Sequence, residues 1–141
     1  MKKPIVVEII VGLLVLLFTY TALSKLFEYK SFLYSLKHAP LTMAHASILS
    51  LLVPVIELIT VSLLLFKSSR YWGLRISLIL MITFTAYIGY MLVFIPQLPC
   101  SCGGVIKKMS WPQHLVFNII FTLLTLSAIW VNKRYPHLEN K

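Results

Sequence analysis

Apolar residues in this chain neither alternate with polar ones nor recur at helical spacing; they fill four nearly continuous blocks, roughly Ile5 to Leu23, Ile48 to Phe66, Trp72 to Ile95 and Leu115 to Val131. A half-buried strand shows a period of two, and a helix on a soluble core shows one apolar stripe. Blocks of about 20 residues that are apolar on every side instead match the ~30 Å hydrocarbon layer of a bilayer. Inside lipid the backbone must satisfy its own hydrogen bonds, so each block is expected to be a helix. The pattern predicts spanning helices over 5–24, 47–66, 72–95 and 111–131. The fold class is all-α, an integral membrane four-helix bundle forming one domain over residues 1–141.

One connection is long. Ser24 to Ala46 includes "SFLYSLKHAPLTMAHA", which mixes aromatics with Lys37, His38 and Pro40, the make-up of an interfacial segment, partly helical and broken near Pro40. The opening "MKK", the apolar block behind it and "ALS" at Ala22 to Ser24 resemble a signal peptide with a small-x-small cleavage site. The apolar stretch exceeds a signal core of about 7 to 15 residues and is interrupted by Glu8, so a retained first helix is the expected outcome. There is no internal repeat, low-complexity tract or Gly/Ser linker.

Composition agrees with the blocks: 59% of the 141 residues are hydrophobic and only 12% charged, too little polar material to coat a soluble core. The formal net charge of +9 changes the picture only through its placement. The basic residues flank the apolar blocks, as topology signals and contacts with anionic headgroups require. No basic stripe or aromatic-basic module points to nucleic acid. With four spans, Lys2, Lys3, Lys67, Arg70, Arg75, Lys133, Arg134 and Lys141 share one side, against Lys25, Lys30, Lys37, Lys107 and Lys108 on the other. Eight against five predicts cytoplasmic termini and an outward-facing Cys100 to Trp111 loop, in a compartment where disulfides persist.

That loop, "QLPCSCGGVIKKMSW", holds both cysteines of the chain. Cys100 and Cys102 are separated by Ser101 alone, and an extended i to i+2 spacing sits at or beyond the upper end of the Cα separations a disulfide tolerates. A bond between them needs a bent loop. Gly103 and Gly104 permit unusual backbone angles, while Pro96 and Pro99 fix the approach. A strained disulfide of this kind belongs to the reducible, catalytic class.

Directly after it, "SWPQH" has the signature of a helix start: Ser110 as N-cap, Pro112 in the first turn, and Gln113 placed to complete a capping box. The amino end of that helix, with Lys107 and Lys108 nearby, favours a thiolate. His114 can accept a thiol proton or orient a sulfur, or else cap the helix or snorkel. Asn118 shares its face at i, i+4 and can hold the imidazole tautomer or join helices. Trp111 fits an interfacial anchor. Cys100, Cys102, His114 and either His38 or His45 also form an alternative donor set for Cu(I) or Zn(II), although a single residue between the cysteines is shorter than the usual zinc spacing.

Within the blocks, "LLVPVIELIT" places Glu57 near the middle of the second spanning helix, three residues after Pro54. An intramembrane carboxylate is costly unless paired, protonated or hydrated. Lys25, which closes the first helix, is the nearest evident cation, though it is expected at a different depth. The pair can act as a proton relay or simply fix helix packing.

Together, "YTALSKLFEY", "PVIEL", "CSCGG" and "MSWPQHLVFN" resemble the DoxX-like superfamily of four-helix membrane proteins, and within it the branch typified by the methylamine-utilisation protein MauE. The cysteine loop and its W-x-x-H-x-x-x-N continuation are the most specific part, and the likeness spans nearly the whole chain. The resemblance implies a redox pair at Cys100 and Cys102, with polar helix positions at Lys25 and Glu57. It further implies a part in maturing a disulfide-rich exported protein together with a thioredoxin-like partner. Methylamine metabolism itself is not implied by these residues.

The expectation is therefore a component of the bacterial inner membrane that exchanges disulfides or electrons with an extracytoplasmic thioredoxin-like protein. Cys100, Cys102 and His114 would be catalytic, with Asn118, Trp111, Glu57 and Lys25 in support. A thiolate would attack a partner disulfide and the second cysteine would resolve the mixed disulfide. A quinone among Tyr87, Tyr90 and Phe94 is a possible electron carrier, although such a stripe is also ordinary helix packing. A noncatalytic docking scaffold is the alternative of a different class.

Overall fold

The computed structural model describes residues 3–95 and 110–134. Both cysteines, the two glycines after them, Lys107 and Lys108 lie outside the described residues. The described chain is helical throughout its regular structure: α1 (Lys3–Phe27), α2 (Tyr29–His38), a 3-10 turn (Met43–His45), α3 (Ala46–Leu65), α4 (Arg70–Phe94) and α5 (Trp111–Arg134). Four spans, Ile5–Phe27, Met43–Leu65, Arg70–Phe94 and Trp111–Arg134, are long and apolar enough to cross a membrane. They correspond to the four apolar blocks. The expected first helix is extended by about a turn, through Phe27.

The helices close a ring. α1 packs on α3 and α5, and α4 packs on the same two, while α2 lies mainly on α3. Burial along α1 recurs at Val7, Val11, Leu14, Phe18, Thr21 and Lys25, three or four residues apart, which is the stripe a helix turns toward its neighbours. On α3 the buried stripe is Ala46, Ser50, Pro54, Glu57, Thr60, Val61 and Leu64.

Polarity is arranged inside out. Thr21, Lys25, Ser50, Glu57, Thr60, Ser77, Asn118 and Thr125 are buried, whereas Leu16, Ile48, Ile79, Val93 and Leu123 are exposed. Lipid surrounds the exposed residues as favourably as a core would, so the interior can be used for small and hydrogen-bonding side chains. The buried hydroxyls bond within their own helices: Thr60 to the Ile56 carbonyl at 2.8 Å, Ser77 to Gly73 at 2.8 Å and Thr125 to Phe121 at 2.7 Å. None therefore enters the apolar layer unsatisfied.

At one end, the apolar core gathers Leu14, Phe18, Leu64, Leu74 and Met81, and Arg70 at the start of α4 pairs with Glu8 of α1. That pair accounts for the charge that interrupts the first apolar block. The α3–α4 hairpin closes tightly at Gly73, where a Cβ would stand 2.9 Å from the Leu64 backbone nitrogen. Backbone cannot step aside as a side chain can. Gly73→Val should lower stability by about 1–3 kcal/mol, seen as a reduced unfolding midpoint in detergent micelles; an unchanged midpoint would contradict the close packing.

At the other end, the long connection becomes α2 and the 3-10 turn, with the break at Ala39 and Pro40 as expected. α2 turns Phe32, Ser35 and Leu36 inward and leaves Tyr34, Lys37 and His38 exposed. The Thr42 hydroxyl donates to the Leu36 carbonyl at 2.8 Å, satisfying an acceptor that the ending helix leaves open. Phe32, Leu36 and Ala46 form a second, smaller core against Leu33, Leu49 and Val53.

Candidate functional site

The second end of the bundle contains a cavity of about 220 Å³. Its wall combines the end of α1 (Thr21, Lys25), the inner face of α2 (Phe32, Leu36), the first part and middle of α3 (Leu49, Val53, Glu57), the second half of α4 (Phe84, Tyr87, Ile88) and the beginning of α5 (His114, Asn118). Every helix thus contributes. The antiparallel order of the spans brings these five segments to the same level, although they are far apart in the sequence.

The polar centre of this wall is Glu57, fully buried at 0% exposure, with Lys25 8% exposed beside it. Lys25 Nζ lies 2.8 Å from Glu57 Oε1, and the Thr21 hydroxyl donates to the same oxygen at 3.2 Å. The two charges, expected at different depths, are in contact. α1 continues through Phe27, so Lys25 sits within the helix rather than at its mouth, and its stripe faces that of α3. Thr21 was not singled out from the sequence. It lies one turn before Lys25 in "TALSK", an i, i+4 spacing that places both on one face.

Lys25 is also flanked by aromatic rings, with Nζ 5.8 Å from the Phe32 ring centre and 5.6 Å from that of Phe84. Both are within reach of a cation–π attraction, worth more where water is excluded. The other carboxylate oxygen, Glu57 Oε2, is buried and has no hydrogen-bond partner among the described residues. Buried carboxylate oxygens are ordinarily satisfied, so this one marks the cavity as a place where something else belongs.

α5 starts as its sequence predicts. The Ser110 backbone N–H donates to Gln113 Oε1 at 3.1 Å, and the Gln113 N–H donates to Ser110 Oγ at 3.4 Å, the reciprocal bonds of a capping box. One turn in, half-buried His114 reaches the cavity wall. Asn118 is buried beside it, but its amide donates to the His114 backbone carbonyl at 3.2 Å. The bond shown goes to the backbone rather than to the imidazole. Spacing of four on a helix brings a side chain back to the carbonyl of the preceding turn, and that acceptor is taken first. Trp111 is the first residue of α5 and is half-buried.

The aromatic stripe divides. Tyr87 lines the cavity, whereas Tyr90 and Phe94 lie ring to ring, with centres 4.9 Å apart, on the exposed face of α4. Of the three rings only Tyr87 lines the cavity, so a quinone held by all three is not what this cavity offers. His38, another member of the alternative metal set, is exposed and bonded through Nδ1 to the Tyr34 carbonyl at 2.8 Å, and His45 is exposed on the 3-10 turn. Among the described residues no three His, Asp or Glu side chains cluster as metal ligands. Cys100 and Cys102, which the alternative requires, lie outside them.

The chain leaves α4 after Phe94 and enters α5 through Ser110, both at the end of the bundle that holds the cavity. No curated protein and no solved structure matches this chain. A family model does: that of methylamine utilisation protein MauE, over residues 3–131. A match across all four spans, and across the cysteine motif between the last two, shows that the chain belongs to the MauE family.

Proposed function

We propose that this MauE-family protein is a thiol-disulfide redox component of the bacterial inner membrane, acting through Cys100 and Cys102 on an extracytoplasmic thioredoxin-like partner and so supporting the maturation of exported proteins. Residues 1–141 then form one transmembrane domain, with both termini cytoplasmic and the cysteine loop outside. A wider kinship with DoxX-like four-helix proteins forms part of the proposal. The observation that carries the proposal is the capped amino end of α5. It stands at the cavity end of the bundle, one turn before His114, and comes after the C-S-C-G-G sequence with only Val105 to Met109 between them.

Such a helix terminus carries partial positive charge, which favours a thiolate over a thiol. His114 supplies an imidazole able to take the thiol proton as the thiolate forms. In the exchange, one thiolate attacks a sulfur of the partner's disulfide, the partner's other sulfur leaves as thiolate, and a mixed disulfide results. The second cysteine then attacks the mixed disulfide, forming the Cys100–Cys102 bond and releasing the partner as a dithiol. Two electrons pass from this chain to the partner, and the reverse sequence moves them back. Cys102, nearer to α5 in the chain, is proposed as the attacking residue.

Trapping tests the assignment. Cys100→Ser should accumulate a mixed disulfide with a thioredoxin-like protein, visible as a reducible high-mass band, and Cys102→Ser should not. Trapping by Cys102→Ser alone would reverse the roles, and absence of any adduct in both variants would count against exchange.

A further inference from the structure

The exchange described above uses the cysteines and His114, and leaves the rest of the cavity without a purpose. Three properties define what fits there. Lys25 and Glu57 balance each other's charge, so a neutral occupant keeps the site neutral, whereas an anionic lipid headgroup would add a second buried negative charge. Glu57 Oε2 lacks a donor, so the occupant should carry a hydroxyl. The remaining wall is largely apolar and includes Leu17, Leu36, Val53, Phe84 and Ile88, surfaces that water leaves unsatisfied.

Size narrows the class further. An apolar cavity of about 150 Å³ takes up benzene, so about 220 Å³ accommodates one ring with small substituents. Thr83, which lines the cavity yet is exposed on α4, marks where the wall reaches the outer surface and a tail can pass into lipid. We propose that this cavity binds a single oxygenated ring on an apolar tail, the chemistry of a membrane-dissolved benzoquinol and its quinone, with a ring hydroxyl donating to Glu57 Oε2.

The Lys25–Glu57 pair suits both forms of such a ligand. The carboxylate oxygen accepts from the quinol hydroxyl, and the Lys25 ammonium, which has three donors, can give one to a quinone carbonyl. The occupant's redox role, as distinct from its binding, rests on the exchange proposed above. When the Cys100 and Cys102 thiols form their disulfide they release two electrons and two protons, and a quinone that takes up both becomes the quinol.

Binding is measured on purified Cys100→Ser/Cys102→Ser protein in detergent micelles, so that the result does not depend on thiol chemistry. Titration calorimetry with a decyl-tailed benzoquinol should show saturable binding of one ligand per chain. Val53 lies one turn before Glu57 on α3 and lines the cavity; Val53→Trp fills the space above the carboxylate and should abolish binding. Glu57→Gln, which keeps the shape but removes the charged acceptor, should weaken it about tenfold or more. No saturable binding of the benzoquinol would overturn the proposal, as would undiminished binding in both variants or saturation by palmitate in its place. If the benzoquinol binds while the cysteines of the unsubstituted protein prove inert, the cavity assignment stands and the exchange reading falls.

Discussion

Lys25→Met should cost the protein about 3–5 kcal/mol of stability, the largest loss expected from any single substitution of the bundle's polar interior. Glu57 is fully buried, and without Lys25 its Oε1 retains only the Thr21 hydroxyl while Oε2 still has no partner among the described residues. A carboxylate in that position must either remain charged without compensation or take up a proton, and both lower the stability of the folded state. Replacing both partners, as in Lys25→Met/Glu57→Leu, removes the uncompensated charge and should recover much of the loss. A double-mutant cycle read from unfolding midpoints in micelles isolates the coupling. Equal stability of Lys25→Met and the unsubstituted protein would mean that the ion pair does not support the fold. Glu57→Gln separates structure from chemistry: lower thermal stability with unchanged thiol exchange assigns the pair a structural role, whereas lost exchange at retained stability assigns it to the reaction.

Cys100→Ser/Cys102→Ser should have the opposite profile. Exchange with a thioredoxin-like protein is expected to fall to the uncatalysed background, since neither an attacking nor a resolving thiolate remains. The unfolding midpoint should stay unchanged, because both core clusters and the Lys25–Glu57 pair are built from other residues. The same variant distinguishes exchange from a docking scaffold. A scaffold would support maturation of exported proteins without its thiols, so full complementation in cells by the double variant would exclude a catalytic role for the cysteines.

Much of the architecture was legible because lipid imposes a simple rule: long apolar blocks must be helices. The start of α5 was equally clear, since Ser110 and Gln113 define a local hydrogen-bonding pattern that depends on no distant contact. The inward faces were not legible. In a block such as "IIVGLLVLLF" both faces are apolar, so no moment distinguishes the buried Leu14 from the exposed Leu16. The buried polar residues were better guides, and Glu57 pointed to the interior correctly.

The missing part of the site was the convergence of its walls. Phe32 on α2 and Phe84 on α4 flank Lys25, but aromatic residues are common in every block of this chain and carry no local mark of a shared cavity. The bonding of Asn118 was not legible for a related reason. Its i, i+4 relation to His114 correctly predicts proximity, but proximity on a helix serves the backbone carbonyl before the ring. The depth assigned to Lys25 failed because α1 runs on past it, the Glu28 N–H still donating to the Ser24 carbonyl at 3.0 Å, which keeps Lys25 on the inward stripe.

The redox state of Cys100 and Cys102 in intact cells, read with a membrane-impermeant, mass-tagging alkylator before and after mild reduction, tests exchange through this pair most directly. The pair should be a disulfide that takes no tag at first and two tags after reduction, which would place it outside and in a reducible state. Two free thiols tagged without reduction would contradict the redox pair and favour metal binding; labelling only by a permeant reagent would contradict the outward orientation on which the exchange depends.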